Sequence, residues 1–426
     1  MKEDLLHYIW KYKKYPVARI RTTKGHGIVV QASGTHNQLS GPDFFNAKLI
    51  IDEQLWAGNV EIHIKSSDWY AHNHEMDTNY DNVILHVVWE DDVAVFRLDG
   101  SEVPTLELKN YISDDLLANY KKLVQQRPNR FINCGTDITA ISSFSFDNWK
   151  ERLYFERLER KSEIVVKLLE ESNNDWEKVL FIMLLKNFGS KINGDFFFDL
   201  GLSIDFSMIR KLKNKPLELE ALLFGLSGLL EDDQQPNTYK QELRQTYDYL
   251  CRKYELDATV LSKPRFFKLR PSNFPTIRLS QFAQLYAAES SLFNKAIQAE
   301  TADFYSLFVV PTSTFWETHF TFNKTSKKSV KRTTKKFIDL LVVNTILPLK
   351  FCYLRHQGIS LDDSFTKPVA DIASEKNSIV QKYRTLGLKV NNAKDSQVLL
   401  ELYTNYCTKN KCLQCAVGVE LLTLKT

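Results

Sequence analysis

The stretch Gly58–Trp69, GNVEIHIKSSDW, constrains the fold of this chain more than any other. Side chains alternate faces along a β-strand. Val60, Ile62 and Ile64 therefore share one face, and Glu61, His63 and Lys65 share the other. Three β-branched residues on one side need an apolar layer against them, so the strand belongs to a sheet with a chemical face. The neighbouring runs supply that sheet. FFNAKLIID (44–52) reads as the preceding strand, with Asp52-Glu53-Gln54 as a hairpin turn. A hairpin centred on Gln54 places Asp43, which follows Gly41-Pro42, near Lys65 at the open end. VILHVVWE (83–90) is almost wholly apolar, as a central strand is, and VAVFRLDG (93–100) is expected to lie antiparallel beside it. VARIRTT (17–23) and GIVVQAS (27–33) read as further strands. Leu5, Leu6, Ile9 and Trp10 fall on one side of an amphipathic helix over residues 3–13.

Two carboxylates and imidazoles on rigid strands can hold a divalent cation. Oxygen donors suit Mg²⁺ and Mn²⁺, and imidazole shifts the preference toward Mn²⁺ or Zn²⁺. The expected metal donors are Asp43, Glu61, His63 and His86, and the expected catalytic set is Asp43, Glu61, His63 and Lys65, with Lys65 or His63 orienting or activating water. His86 lies in an apolar strand, where it is either a satisfied core histidine or a group behind or in the metal site. His72 and His74, in DWYAHNHEMDTNY, have the His-x-His spacing of many metal sites. They also fit an ordinary surface loop, and are placed at the periphery.

From Phe146 the apolar period changes to about 3.6, so the expected fold is α+β: an amino-terminal mixed or antiparallel sheet domain, residues 1–130, followed by an all-α domain, residues 131–426. Helices are expected at 195–203, 206–213, 216–230, 237–254, 278–299, 303–309, 335–355, 366–386 and 395–407, after two longer ones between 146 and 188. A net charge of +4 neither demands nor excludes a nucleic-acid partner. Locally, NKTSKKSVKRTTKK (323–336) carries seven cations and no acid, which makes Lys327, Lys328, Lys331 and Arg332 candidate phosphate contacts for DNA or RNA. Six cysteines in so long a chain are no disulfide scaffold. Cys407, Cys412 and Cys415 crowd the carboxy-terminal segment. With Cys134 as a fourth donor they fit a zinc ion or an iron–sulfur cluster. The amino terminus lacks the apolar core of a signal peptide, and no apolar run is read as a membrane span. The expected location is the cytoplasm.

GPDFFNAKLIID, GNVEIHIKSSDWYAHNHEMDTNYDNVILHVV, NFGSKIN (187–193), RPSNFPTIRLSQFA (270–283), NTILPL (344–349) and YCTKNKCLQCAVG (406–418) together resemble a bacterial domain-of-unknown-function family, number 2851. Pro42-Asp43 followed by Glu61-x-His63 on the next strand also resembles the PD-(D/E)xK nuclease superfamily. That resemblance implies a restriction-endonuclease-like domain: a helix, a β-meander carrying the acid and the (D/E)xK motif, then a helix and a strand. It implies Asp43 and Glu61 as ligands of Mg²⁺ or Mn²⁺ and hydrolysis of phosphodiesters in DNA or RNA. His63 occupies the lysine position, and Lys65 is two residues on. The cysteine pattern resembles the iron–sulfur staple of some helicase-associated nucleases of that superfamily. Two alternatives remain open: a non-catalytic nucleic-acid or protein-binding module on the same fold, and a zinc hydrolase built on His63, His72, His74 and His86.

Overall fold

The computed structural model describes residues 1–124, 130–231, 237–256 and 263–424. The chain forms two compact units: residues 1–149, 382–388 and 401–426 in the first, and 150–381 with 389–400 in the second. The carboxy-terminal segment, expected in the helical part, thus belongs to the amino-terminal unit.

In the first unit, helix α1 (Glu3–Lys11) buries Leu5, Leu6, Tyr8, Ile9 and Trp10, with acids in its first turn and Lys11 in its last, a charge order that favours the helix dipole. Six strands follow: β1 (Ile28–Ala32), β2 (Thr35–His36), β3 (Phe44–Ile51), β4 (Gln54–Lys65), β5 (Val83–Glu90) and β6 (Thr105–Glu107). They lie in the order β1-β3-β4-β5-β6, with β2 on β3. β1, β3 and β4 are antiparallel neighbours, whereas β5 is parallel to β4, and β6 to β5. The link between β4 and β5 is helical, with α2 (Asp68–Ala71) and two single turns at His74–Met76 and Thr78–Tyr80.

Two expectations need correction here. Residues 93–100 do not form a strand beside β5; that edge is taken by β6, and Phe96 makes only an isolated bridge to Glu102. Three residues are too short to show a period in the sequence. Nor is 17–23 a strand, since it contributes one bridge, Arg21 to Gly27.

The β3–β4 register also differs from the hairpin centred on Gln54. The turn is tighter: Asp52 and Glu53 both have positive φ, 49° and 66°, and Ile51 pairs with Gln54. Two left-handed residues are what a two-residue hairpin needs to match strand twist. A bulge then shifts the register between Phe44 and Ala47. Asn46 sits there with φ 56°, its N–H donated to Asn59 Oδ1 at 3.3 Å. The two effects bring Phe44 opposite Val60, so that Asp43 meets Glu61 rather than Lys65. From Gly58 to His63 every residue of β4 is buried, as is every residue of β5 from Val83 to Val88. Both faces of these central strands are covered, so polar groups on them must find partners inside.

The second unit is mostly helical. It adds a two-stranded ribbon, His319–Thr321 with Lys324–Thr325, that the all-α expectation lacked. Apolar helices Trp176–Phe188, Pro216–Leu226 and Pro275–Ala288 line its core. Glu220 is fully buried there. Its Oε1 accepts from Trp316 Nε1 (2.6 Å), Tyr239 Oη (2.9 Å) and Ser313 Oγ (3.2 Å), and its Oε2 from Ser280 Oγ (3.1 Å). Burial raises its pKa against these four donors. The continuous helical run Lys335–His356, interrupted by a π turn at Val342–Ile346, is long and apolar enough by composition to cross a membrane. In the sequence its apolar part, FIDLLVVNTIL (337–347), reads as a buried helix too short to span. Most of its apolar window is covered by the rest of the chain.

Candidate metal centre

The site forms where β4, β5 and the helical link meet. His63 leaves β4 into the buried layer. His72 ends α2, and Asn73, with φ 58°, turns the chain so that His74 comes back toward the same point. The His74 ring stacks on Tyr80, with centroids 3.7 Å apart, and meets the edge of Trp69. Trp69 and Tyr80 are themselves packed with Val83, Val95 and Val103. An apolar cluster thus holds the link histidines in place, which a mobile surface loop would not.

The resulting distances are short. His63 Nε2 lies 3.1 Å from His72 Nδ1 and 3.5 Å from Glu61 Oε1. His74 Nε2 is 3.4 Å from the same Glu61 oxygen. One donor atom from each of His63, His72 and His74 falls within 4.8 Å of the other two. Ligands about 2.0–2.1 Å from a tetrahedral ion lie about 3.3 Å apart, so the spacing suits one cation. Imidazole-rich donor sets favour Zn²⁺ and related transition metals over Mg²⁺. His63 and His74 are buried and His72 is exposed, so the cluster has one open side.

Glu61 is held from the other side. Its Oε2 accepts the Asp43 N–H at 3.0 Å, and Asp43 Oδ2 accepts the Ile62 N–H at 3.0 Å. Burial raises the Glu61 pKa, with the Asp43 charge adding to it and the bond to His74 opposing it. His7 of α1 places Nε2 3.2 Å from Asp43 Oδ2. Burial works against a charge on His7, but Asp43, Glu3 and Glu61 outweigh it and raise its pKa. Glu3 is raised by its own burial and by Asp43. His7 carries no site signal in the sequence, and Glu3, like Asp4, is offered there only by its position, as the acid that the nuclease resemblance often adds from the first helix. They stand on the first turns of a helix whose visible signal is its apolar side.

His86 lies opposite Glu61 in the β4–β5 register. Its Nε2 is 2.9 Å from His63 Nδ1, and its Nδ1 has no partner among the described residues. Burial holds both rings neutral: His63 is pushed down to about 3, with His74 and His72 adding to the effect, and His86 well below its ordinary value. With His63 Nδ1–H donated to His86, His63 Nε2 is left with its lone pair toward His72 and Glu61. His86 thereby sets the tautomer of His63 rather than offering a donor of its own.

The remaining expected residues lie elsewhere. Lys65 is half-exposed at the end of β4. Its N–H is donated to Asp68 Oδ2 and its Nζ ends 3.9 Å from Asp92 Oδ2, outside the imidazole cluster. In the basic segment, Lys327, Lys328 and Arg332 are exposed, but Lys331 is buried and donates to the carbonyls of Trp316 and Glu317. Burial lowers its pKa. Cys134, Cys407, Cys412 and Cys415 line one small cavity.

The sequence model of the family described as "Protein of unknown function (DUF2851)" matches residues 3–378. The chain belongs to DUF2851. The DUF2851 match takes in every residue of the imidazole cluster, from Glu3 on α1 to His86 on β5, and Cys134 as well. It ends before Cys407, Cys412 and Cys415, so it does not extend to the 406–418 segment that the sequence resemblance included. No curated protein and no solved structure matches the chain.

Proposed function

We propose that this DUF2851 chain is a metal-dependent hydrolase acting on phosphodiesters of DNA or RNA, with the ion held by His63, His72 and His74. The observation that carries the reading is the convergence of those three imidazoles beside the buried Glu61. Three protein donors with one open side are the pattern of a catalytic rather than a structural zinc-type site. The ion would supply Lewis acidity toward a phosphoryl oxygen. Glu61, buried with a raised pKa, is placed to take a proton from the attacking water at Oε1. The Asp43 N–H holds Glu61 Oε2, and Asp43 is itself held by the Ile62 N–H at its Oδ2. His7 lies 3.2 Å from Asp43 Oδ2, and that carboxylate favours its protonated form.

The phosphodiester part rests on a separate observation. A helix, the antiparallel strands β1 to β4, a helical link and the parallel strand β5 follow one another here. That is the order the PD-(D/E)xK resemblance implies; Asp43 immediately precedes β3 and Glu61 lies on β4. His63 in the lysine position changes the metal preference from Mg²⁺ toward Zn²⁺ or Mn²⁺, and removes the need for Lys65. The test is cleavage of labelled single- and double-stranded DNA and RNA with Zn²⁺, Mn²⁺ or Mg²⁺, beside His72→Ala. Cleavage with Zn²⁺ or Mn²⁺ that His72→Ala abolishes supports the reading. Absence of cleavage on every substrate with every metal overturns it.

A further inference from the structure

Four of the six cysteines meet at one place in the first unit, and the imidazole site uses none of them. Cys134 stands in the loop after α3 (Asp114–Val124). Cys407 closes a π turn, Tyr403–Cys407. Cys412 opens a single turn, and Cys415 precedes the carboxy-terminal helix Ala416–Thr423. Two segments more than two hundred residues apart in sequence thus put four thiols around one cavity, together with Leu123, Asn133, Tyr406 and Gly418. All six cysteines are unpaired. A π turn is uncommon and concentrates at functional positions; here it ends on a thiol that faces the cavity.

Each carboxy-terminal sulfur also has polar groups directed at it. Tyr383 Oη lies 3.4 Å from Cys407 Sγ. Asn133 Nδ2 donates to Cys412 Sγ at 3.5 Å. The N–H groups of Val417 and Gly418 face Cys415 and favour its thiolate. Burial works the other way, pushing Cys407 up to about 12 and Cys415 up to about 11. Buried thiols that need only pack have no use for a donor apiece, whereas sulfurs bound to iron are tuned by such hydrogen bonds.

We infer that Cys134, Cys407, Cys412 and Cys415 hold an iron–sulfur cluster. A lone zinc ion fits less well. Zn–S bonds of about 2.3 Å bring four sulfurs to about 3.8 Å from one another. Among the described residues, the group of three such donors that closes to within 4.8 Å is the histidine one, not the thiols. A cluster of several irons carries its thiolates farther apart. The spacing Cys407-x4-Cys412-x2-Cys415 is also that of the three clustered ligands in plant-type two-iron sites, which take their fourth cysteine from a distant segment. On assembly four thiol protons leave and four cysteine S–Fe bonds form, with ferric iron and inorganic sulfide as co-reactants; two ferric ions, two sulfides and four thiolates make a two-iron centre with no change of oxidation state.

The cluster stands next to α1. The Asp4 charge acts on Cys412, and Asp4 Oδ1 accepts the Tyr120 hydroxyl at 3.1 Å. Tyr120 thus ties α3 to the helix that carries His7 and Glu3, and the presence of the cluster does not depend on what the imidazole site does.

The experiment is anaerobic purification of the full chain and reconstitution with ferric iron and sulfide. Iron, zinc and acid-labile sulfide are measured together with the visible absorption spectrum. The expected result is iron and labile sulfide in equal amounts, with visible charge-transfer bands. Cys134→Ser and Cys412→Ser should lose most of both, while Cys251→Ser, in the second unit, keeps them. Stoichiometric zinc without labile sulfide, or no bound metal in the reconstituted wild-type chain, overturns the inference. The wild-type measurement decides even where a serine variant fails to fold.

Discussion

His63 Nδ1 lies 2.9 Å from His86 Nε2, and both rings are buried between covered faces of the sheet. The contact makes His86 a positioning residue. In the tautomer in which His63 Nδ1–H donates to His86 Nε2, the contact leaves His63 Nε2 for a cation. His86→Leu removes the acceptor with little change in shape. It should weaken zinc binding about 10- to 100-fold, the usual cost of losing such a partner. His86→Gln keeps an acceptor oxygen and should recover part of the loss. Competition titration against a chromophoric chelator reads both; equal affinities in all three proteins would show that His86 is only a core residue.

Glu61 separates binding from turnover. Glu61→Gln keeps an oxygen for the Asp43 N–H but cannot take a proton. Metal affinity should change by no more than a few-fold, and the rate of metal-dependent cleavage should fall by about 10²–10⁴. Parallel measurement of affinity and kcat on the same samples checks this. A loss confined to affinity would make Glu61 a ligand rather than a base.

The neutral state of His86 has a consequence for the metal-free protein. An unfolded imidazole takes its proton near pH 6.5, whereas burial keeps the folded His86 unprotonated well below that. Below about pH 6.5 the unfolded chain binds the extra proton, so this residue's contribution to stability is complete above that pH and is lost as the pH falls. Glu3, His7 and Glu61 have raised pKa values and act in the opposite sense, but they are common to wild type and variant. The stability difference between wild type and His86→Gln, from thermal melts in chelator, should therefore shrink between pH 7 and pH 5. A difference that stays constant would place the titration elsewhere.

In the second unit, Glu220 accepts from four side chains at once. Glu220→Gln turns one acceptor into a donor among donors and leaves buried hydroxyls or the indole N–H unmatched. The expected loss is about 2–4 kcal/mol, read as a lower urea midpoint for the tryptophan signal. A loss under about 0.5 kcal/mol would mean the four donors can find other partners.

How much of this was legible in the sequence follows from the range of each interaction. The α1 helix, β3, β4 and β5 follow from local period, and so do most helices after residue 146. The pairing of Asp43 with Glu61 does not. It depends on the two left-handed residues Asp52 and Glu53 and on the bulge at Asn46, and moving the turn by one residue changes every partner. His72 and His74 were assigned to the periphery because nothing local says that Asn73 reverses the chain or that Tyr80 and Trp69 clamp the loop. Lys65 reads as part of the chemical face because alternation continues to the end of β4, but the covering layer stops before it. Among the basic residues, Lys331 looks like its neighbours in the sequence, and only tertiary packing shows its ammonium spent on two backbone carbonyls.

The first unit takes in residues 401–426, and in the order of synthesis these follow everything else described. A ribosome therefore delivers the sheet, the histidines and Cys134 long before the segment that completes their unit. Until residues 401–424 have been made, the surfaces of α3 and α1 that the helix Ala416–Thr423 and the Cys412 turn will cover remain open on the nascent chain. A polypeptide stalled or clipped upstream of Glu401 would leave that ground uncovered, so the first unit is assembled from both ends of the described chain.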